Sequence, residues 1–227
     1  MFNGYFKIYL ILFLGILIPM NIVGHWIEIS WLTQFTKPLL MPVLTGYFVN
    51  RTRGYSSRNK IVVLVALLFS WVGDVALMFD DVYPIFFIIG LGGFLLAHVN
   101  YVYALVRTGH RIHFIGKGAW IGVPFIVLYG VGLLSVLWPH LDDLRMPVFL
   151  YAVVLMLMGG AALIRKVKIG YYMVLLGAIL FILSDSMLAI NKFVQPIEKS
   201  GVLIMSTYMF AQLFIVLGLS NKIISQD

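Results

Sequence analysis

Residues 61–78 read Ile-Val-Val-Leu-Val-Ala-Leu-Leu-Phe-Ser-Trp-Val-Gly-Asp-Val-Ala-Leu-Met, with Asp74 the single charge between Ile61 and Met78. A helix that is apolar on every side has no face to offer water and belongs in a membrane or a large core. A chain of 227 residues has no core large enough to hide many such helices, and working outward from this one finds seven more. The runs lie at roughly 6–23, 36–50, 60–79, 84–106, 117–138, 146–164, 169–191 and 201–220. Crossing about 30 Å of hydrocarbon takes about 20 residues, so the sequence predicts an all-α polytopic membrane bundle of about eight spans. Composition agrees: 62% of residues are hydrophobic and 11% charged, against roughly 45–50% and 25% in globular chains. Every connection is short, so 1–227 is expected to form a single integral membrane domain. The second run is short and contains Pro38 and Pro42. Lys7 precedes the first run in the manner of a leader, but no small-x-small cleavage site follows, which favours a retained helix. With no cysteines, a disulfide framework, a thiolate zinc site and a Cys nucleophile are excluded.

The net charge of +7 on a soluble chain would suggest a nucleic-acid partner. Here its distribution gives orientation instead. Arg51, Arg53, Arg58 and Lys60 fill the second connection, Arg107, Arg111 and Lys117 the fourth, and Arg165, Lys166 and Lys168 the sixth. Glu28, Asp80, Asp81, Asp142, Asp143 and Glu198 lie in the odd connections, with Arg145, Lys192 and Lys199. Basic residues collect on the cytoplasmic side, so both termini and the even connections are expected there. Short connections and the retained first helix suit a bacterial inner membrane.

Ionisable groups inside a span cost at least ~2.5–3.5 kcal/mol on insertion scales and by default mark function. Asp74 and Asp185 are such groups, both in the outer half of their spans. Lys37 opens the second span from the same side. Gln212 follows Tyr208 by one turn on one helix face, and Tyr101 shares a face with His98 at i+3. These side chains are expected to converge on one polar pocket between helices. Gly90, Gly92 and Gly93 in mid-span fit close helix approach, and Asp142 and Asp143 a solvated loop. His110 and His113 have no acidic or thiolate companion to make a metal site.

Two membrane-embedded carboxylates in different surroundings can divide roles, one protonated and the other ionised. That suits acid-catalysed cleavage through an oxocarbenium ion, an aspartic-protease dyad, or a proton-coupled or lipid-translocating transporter. The residues alone leave these three open, although the Gly-x-Gly-Asp of intramembrane aspartyl proteases is absent before Asp74, where Trp71 stands.

Five motifs in order narrow the choice. They are Lys37-Pro38-x-x-Met41, Gly73-Asp74-x-x-Leu77-Met78, Gly93-Phe94-x-x-x-His98-x-x-Tyr101, Ser184-Asp185-x-x-Leu188-Ala189-x-x-Lys192-Phe193 and Tyr208-x-x-Ala211-Gln212. In order and spacing the chain resembles the YhhN-like lysoplasmalogenases, from its second span to its eighth. The resemblance implies hydrolysis of the vinyl-ether bond of a lysophospholipid drawn from the bilayer, giving a fatty aldehyde and glycerophosphoethanolamine or glycerophosphocholine. Asp74 and Asp185 would be the catalytic carboxylates. Asp185, seven residues before Lys192, is the better candidate for the ionised partner. Lys37 and Lys192 would bind the head-group phosphate, and His98, Tyr101, Tyr208 and Gln212 would line the pocket. No metal, organic cofactor or nucleic acid is expected to take part. A shift of substrate to another ether or enol-ether lipid stays open.

Overall fold

A computed structural model describes residues 5–109, 117–165 and 167–225. Its regular structure is helical, in eight long helices: α1 (Tyr5–Trp26), α2 (Ser30–Arg51), α3 (Arg58–Ala76), α4 (Ile85–Thr108), α5 (Lys117–Leu137), α6 (Arg145–Ile164), α7 (Tyr171–Phe193) and α8 (Ser200–Ile224). Seven of them, all but α2, are long and apolar enough to cross a membrane, among the described residues. The expected polytopic helical bundle is therefore present. His110, Arg111, His113, Lys166 and Asp227, which entered the sequence reading, lie outside the described residues.

The helix α2 departs most from expectation. Instead of a short run at 36–50 it extends through 22 residues and carries both prolines inside it. Its composition explains the misreading, because Thr33, Gln34, Thr36 and Lys37 dilute the apolar signal of its first half. Prolines inside a helix remove backbone donors, and Pro42 leaves the carbonyl of Pro38 without its usual i+4 partner. The indole Nε1–H of Trp71 on α3 donates to that carbonyl at 2.9 Å. A side chain of the neighbouring span thus satisfies the acceptor that the proline orphans.

Chain neighbours pack as antiparallel hairpins, most extensively α3 with α4 and α7 with α8. Two glycines let α3 and α4 approach closely: a Cβ on Gly93 would stand 2.9 Å from the Gly73 nitrogen, and one on Gly73 would stand 2.8 Å from the Phe94 ring. Gly92 faces open space, so of the mid-span glycines it plays no part in this crossing. The helix α8 is the centre of the bundle and packs on α1, α2, α3, α4 and α7. In its apolar window 56% of residues are buried inside the protein, against 11% for the peripheral α5. Tyr208 and Gln212 of α8 therefore face protein, and the site is built around them.

Candidate active site

Asp74 lies near the C-terminal end of α3, where Gly73 leaves room for α4, and is buried. Its Oδ2 accepts a hydrogen bond from the Tyr208 hydroxyl on α8 at 2.7 Å. One turn on, Gln212 occupies the same face of α8. Its amide donates to Ser70 Oγ on α3 at 2.9 Å, and its Oε1 accepts from the Tyr101 hydroxyl on α4 at 2.5 Å. A buried polar atom costs little once paired and a great deal when orphaned, and this chain of groups ties three spans together. Tyr208, Tyr101 and Gln212 were expected to meet. Ser70 was not, since a hydroxyl in an apolar run gives little signal.

Asp185 belongs to a second cluster. The Tyr151 hydroxyl on α6 donates to its Oδ2 at 2.6 Å, and His98 Nε2 lies 3.7 Å from the same oxygen. His98 Nδ1 is 2.6 Å from the Phe94 carbonyl. A carbonyl only accepts, so Nδ1 carries the hydrogen, and Nε2 in the neutral ring is left with its lone pair toward Asp185. That Nε2 is buried and has no hydrogen-bond partner among the described residues. Tyr151 was missed at the sequence level because α6 carries no ionisable residue at mid-span to draw attention to it.

The expectation of one shared pocket is therefore modified. Asp185, Tyr151 and Ser186 line a narrow cleft among α4, α5, α6 and α7, with a cavity volume of about 50 Å³. The rest of the lining, including Phe87, Leu137, Leu155 and Phe193, is almost wholly apolar. Asp74 does not line this cleft. Two rings stand between the clusters: Phe94 and Phe181 each pack edge-on against Tyr208, at centroid distances of 5.7 and 5.5 Å, and Phe181 also meets the His98 ring. Phe94 serves both sides, since its ring lines the cleft and touches Tyr208 while its carbonyl fixes His98.

The lysines divide differently from the sequence reading. Lys192 Nζ pairs with Asp80 Oδ2 at 2.7 Å and lies over the Phe87 ring, at the edge of the cleft lining. It is engaged by the α3–α4 connection and not by Asp185. Lys37 is half-buried on α2, within electrostatic reach of Asp74. Sequence spacing suggested Asp185 as the carboxylate with a lysine neighbour, whereas folding gives that neighbour to Asp74. Helical periodicity places Lys192 near the face of Asp185, but Asp80, far away in sequence, captures its long side chain.

Fold and site together define a polytopic helical membrane protein that carries two carboxylates inside its spans, each held by a tyrosine from another helix. The chain belongs to the YhhN family, whose sequence model matches residues 32–219. It is 32% identical to lysoplasmalogenase TMEM86B of Homo sapiens over 195 residues, 84% of this chain and 76% of that protein. It is also 34% identical to a lysoplasmalogenase of Mycobacterium tuberculosis over 163 residues, 71% of this chain and 61% of that one. Lysoplasmalogenase TMEM86A of Homo sapiens is 32% identical over 203 residues. No solved structure matches the chain. All five motifs fall within the matched region, and the relatives' names agree with the expectation of an ether hydrolase.

Proposed function

We propose that this chain hydrolyses the vinyl-ether bond of lysoplasmalogens in the membrane, releasing a fatty aldehyde and the glycerophospho-alcohol. One observation carries the mechanistic part: on the wall of an apolar cleft, Asp185 Oδ2 lies 3.7 Å from a His98 nitrogen that has no hydrogen-bond partner among the described residues. A vinyl ether is activated by protonation at its β-carbon, which creates an oxocarbenium ion at the α-carbon. Asp185 supplies that proton and is left as a carboxylate beside the cation, which it stabilises. Water adds to the cation and gives up its proton to His98 Nε2. The hemiacetal then collapses, its hydroxyl proton is lost and the glycerol oxygen gains one. Aldehyde and alcohol separate, and the proton on His98 returns to Asp185. General acid catalysis of this kind contributes about 10²–10⁴-fold.

In this reading Asp74 is the ionised partner of Lys37. It holds Tyr208, which in turn supports Phe94 and so the cleft wall. The apolar lining fits the single hydrocarbon chain of a lysolipid arriving laterally from the bilayer. Lys37 offers a cation to the head-group phosphate, and Lys192 joins it by leaving Asp80. Tyr101 and Gln212 brace the spans behind the site. A bacterial inner membrane is the setting proposed, on the strength of the short connections. The relatives include human proteins, so the proposed chemistry is not tied to one type of membrane.

The test is incubation of purified protein with a lysoplasmalogen and with its acyl and alkyl-ether analogues, with mass spectrometry for products. Aldehyde from the vinyl ether alone is the expected result. No aldehyde from it would remove the proposal, and fatty alcohol from the alkyl ether would replace it with a broader ether hydrolase.

A further inference from the structure

At the end of the bundle opposite Asp185, on the side that the charge pattern assigns to the cytoplasm, a second hollow is built from different chemistry. Arg165 follows the last residue of α6 and is only 4% exposed. One of its guanidinium nitrogens, Nη2, donates to Thr108 Oγ1 at 2.9 Å. The other two, Nε and Nη1, are buried with no partner among the described residues. Burying an unpaired guanidinium costs several kcal/mol, so a fold that keeps one has a reason for it. Burial alone lowers the Arg165 guanidinium to about 10, which leaves it charged at neutral pH.

The hollow that Arg165 lines also receives Lys168 and Tyr171 from the start of α7, and Lys222 and Ser225 from the end of α8. Among the described residues neither lysine has an ion-pair partner and no carboxylate lines the hollow. Tyr171 is the first residue of α7, whose N-terminus has no side-chain cap. The free N–H groups and dipole of such a terminus favour an anion. The walls are held rigidly, because the Gly170 backbone meets α8 at Gly218 too closely for a Cβ at Gly170. Two mobile ammonium groups, a planar fork of N–H donors and a helix N-terminus around one hollow match the tetrahedral oxygens of a phosphate.

We propose that this hollow is a phosphate-binding site, with the Arg165 fork as its fixed element and Lys168 and Lys222 closing over the anion. The site lies about 20 Å from Asp185, counting 1.5 Å per residue along α7, and the proposal does not depend on the hydrolase reading. The phosphate has two sources, the head group of an anionic phospholipid in the adjacent leaflet and a water-soluble phosphate ester.

Native mass spectrometry of the full-length protein in detergent tests this, with phosphatidic acid as the lipid probe and glycerol 3-phosphate as the soluble one. Wild type should retain one probe, and Arg165→Met and Lys222→Met should each weaken binding about tenfold, the scale of one charge-assisted hydrogen bond. Arg107→Met, a cation elsewhere on the same side, should change it less than about twofold. Retention of phosphatidic acid alone identifies a lipid site, and retention of glycerol 3-phosphate identifies a soluble ligand. If Arg165→Met does not fold, Lys222→Met and Lys168→Met decide, because both change side chains that are not buried. Wild-type binding in these two variants overturns the proposal. So does failure of wild type to retain either probe.

Discussion

His98 Nε2 faces Asp185 Oδ2 across 3.7 Å, while Nδ1 on the other side of the ring is committed to the Phe94 carbonyl. A lone pair and a carboxylate repel, whereas a proton on either group turns the contact attractive. Asp185→Asn keeps the shape and the Tyr151 contact but removes the transferable proton. Aldehyde release should fall by about 10²–10⁴-fold, the scale of general acid catalysis. His98→Phe keeps the acid and removes the base, and should leave an intermediate rate. Equal rates in wild type and Asp185→Asn would sink the mechanism.

Gln212 satisfies two hydroxyl-bearing residues of other helices at once, Ser70 and Tyr101. Gln212→Leu is close in size but leaves both without that partner. Each buried group so orphaned costs about 1–3 kcal/mol, and the loss should appear as a lowered unfolding midpoint in detergent. An unchanged midpoint would mean that the network is ornamental to the fold.

The glycines of α4 separate by environment. Gly93→Ala drives a methyl group into the backbone of α3, where a Cβ would stand 2.9 Å from the Gly73 nitrogen, whereas Gly92→Ala meets nothing. Overpacking of this kind costs about 1–3 kcal/mol. Thermal unfolding of the two variants should therefore differ by several degrees, with Gly92→Ala near wild type; matching midpoints would show that the helices part without cost.

Lys199 reaches both the Trp26 carbonyl and Glu28 Oε1, clipping the α1–α2 turn to the start of α8. The hydrogen bond and charge of Lys199 hold Glu28 below its ordinary value of 4.5. A carboxyl lowered on folding stabilises the fold above its unfolded value and loses that contribution as pH falls through its folded value. The stability gap between wild type and Glu28→Gln should thus be small but present at neutral pH, and should close on acidification below about pH 4. A gap that widened in acid would contradict the pairing.

The spans were legible because apolar runs of this length have few other uses, and Tyr208 with Gln212 was legible because helical spacing puts them on one face. Ser70, Tyr151 and Phe94 were not. A hydroxyl or an aromatic ring in a hydrophobic run is normal, and only folding decides which of them meets a carboxylate. The division of Asp74 and Asp185 between separate clusters was equally hidden. Equal depth in a bilayer fixes one coordinate of a residue, and the other two depend on helix rotation and on rings such as Phe181. Long lysine side chains add further freedom, which is how Asp80 takes Lys192.

Phe94 gives the two clusters a common mechanical element. It lines the cleft, touches Tyr208 with its ring and holds His98 with its carbonyl. Gly73, beside Asp74, has no side chain to spare against that ring. A hydrocarbon chain in the cleft, as proposed, would lean on this ring, which packs closely against Gly73 of α3. Under the proposed function, filling the cleft would therefore act on both carboxylate clusters through one ring.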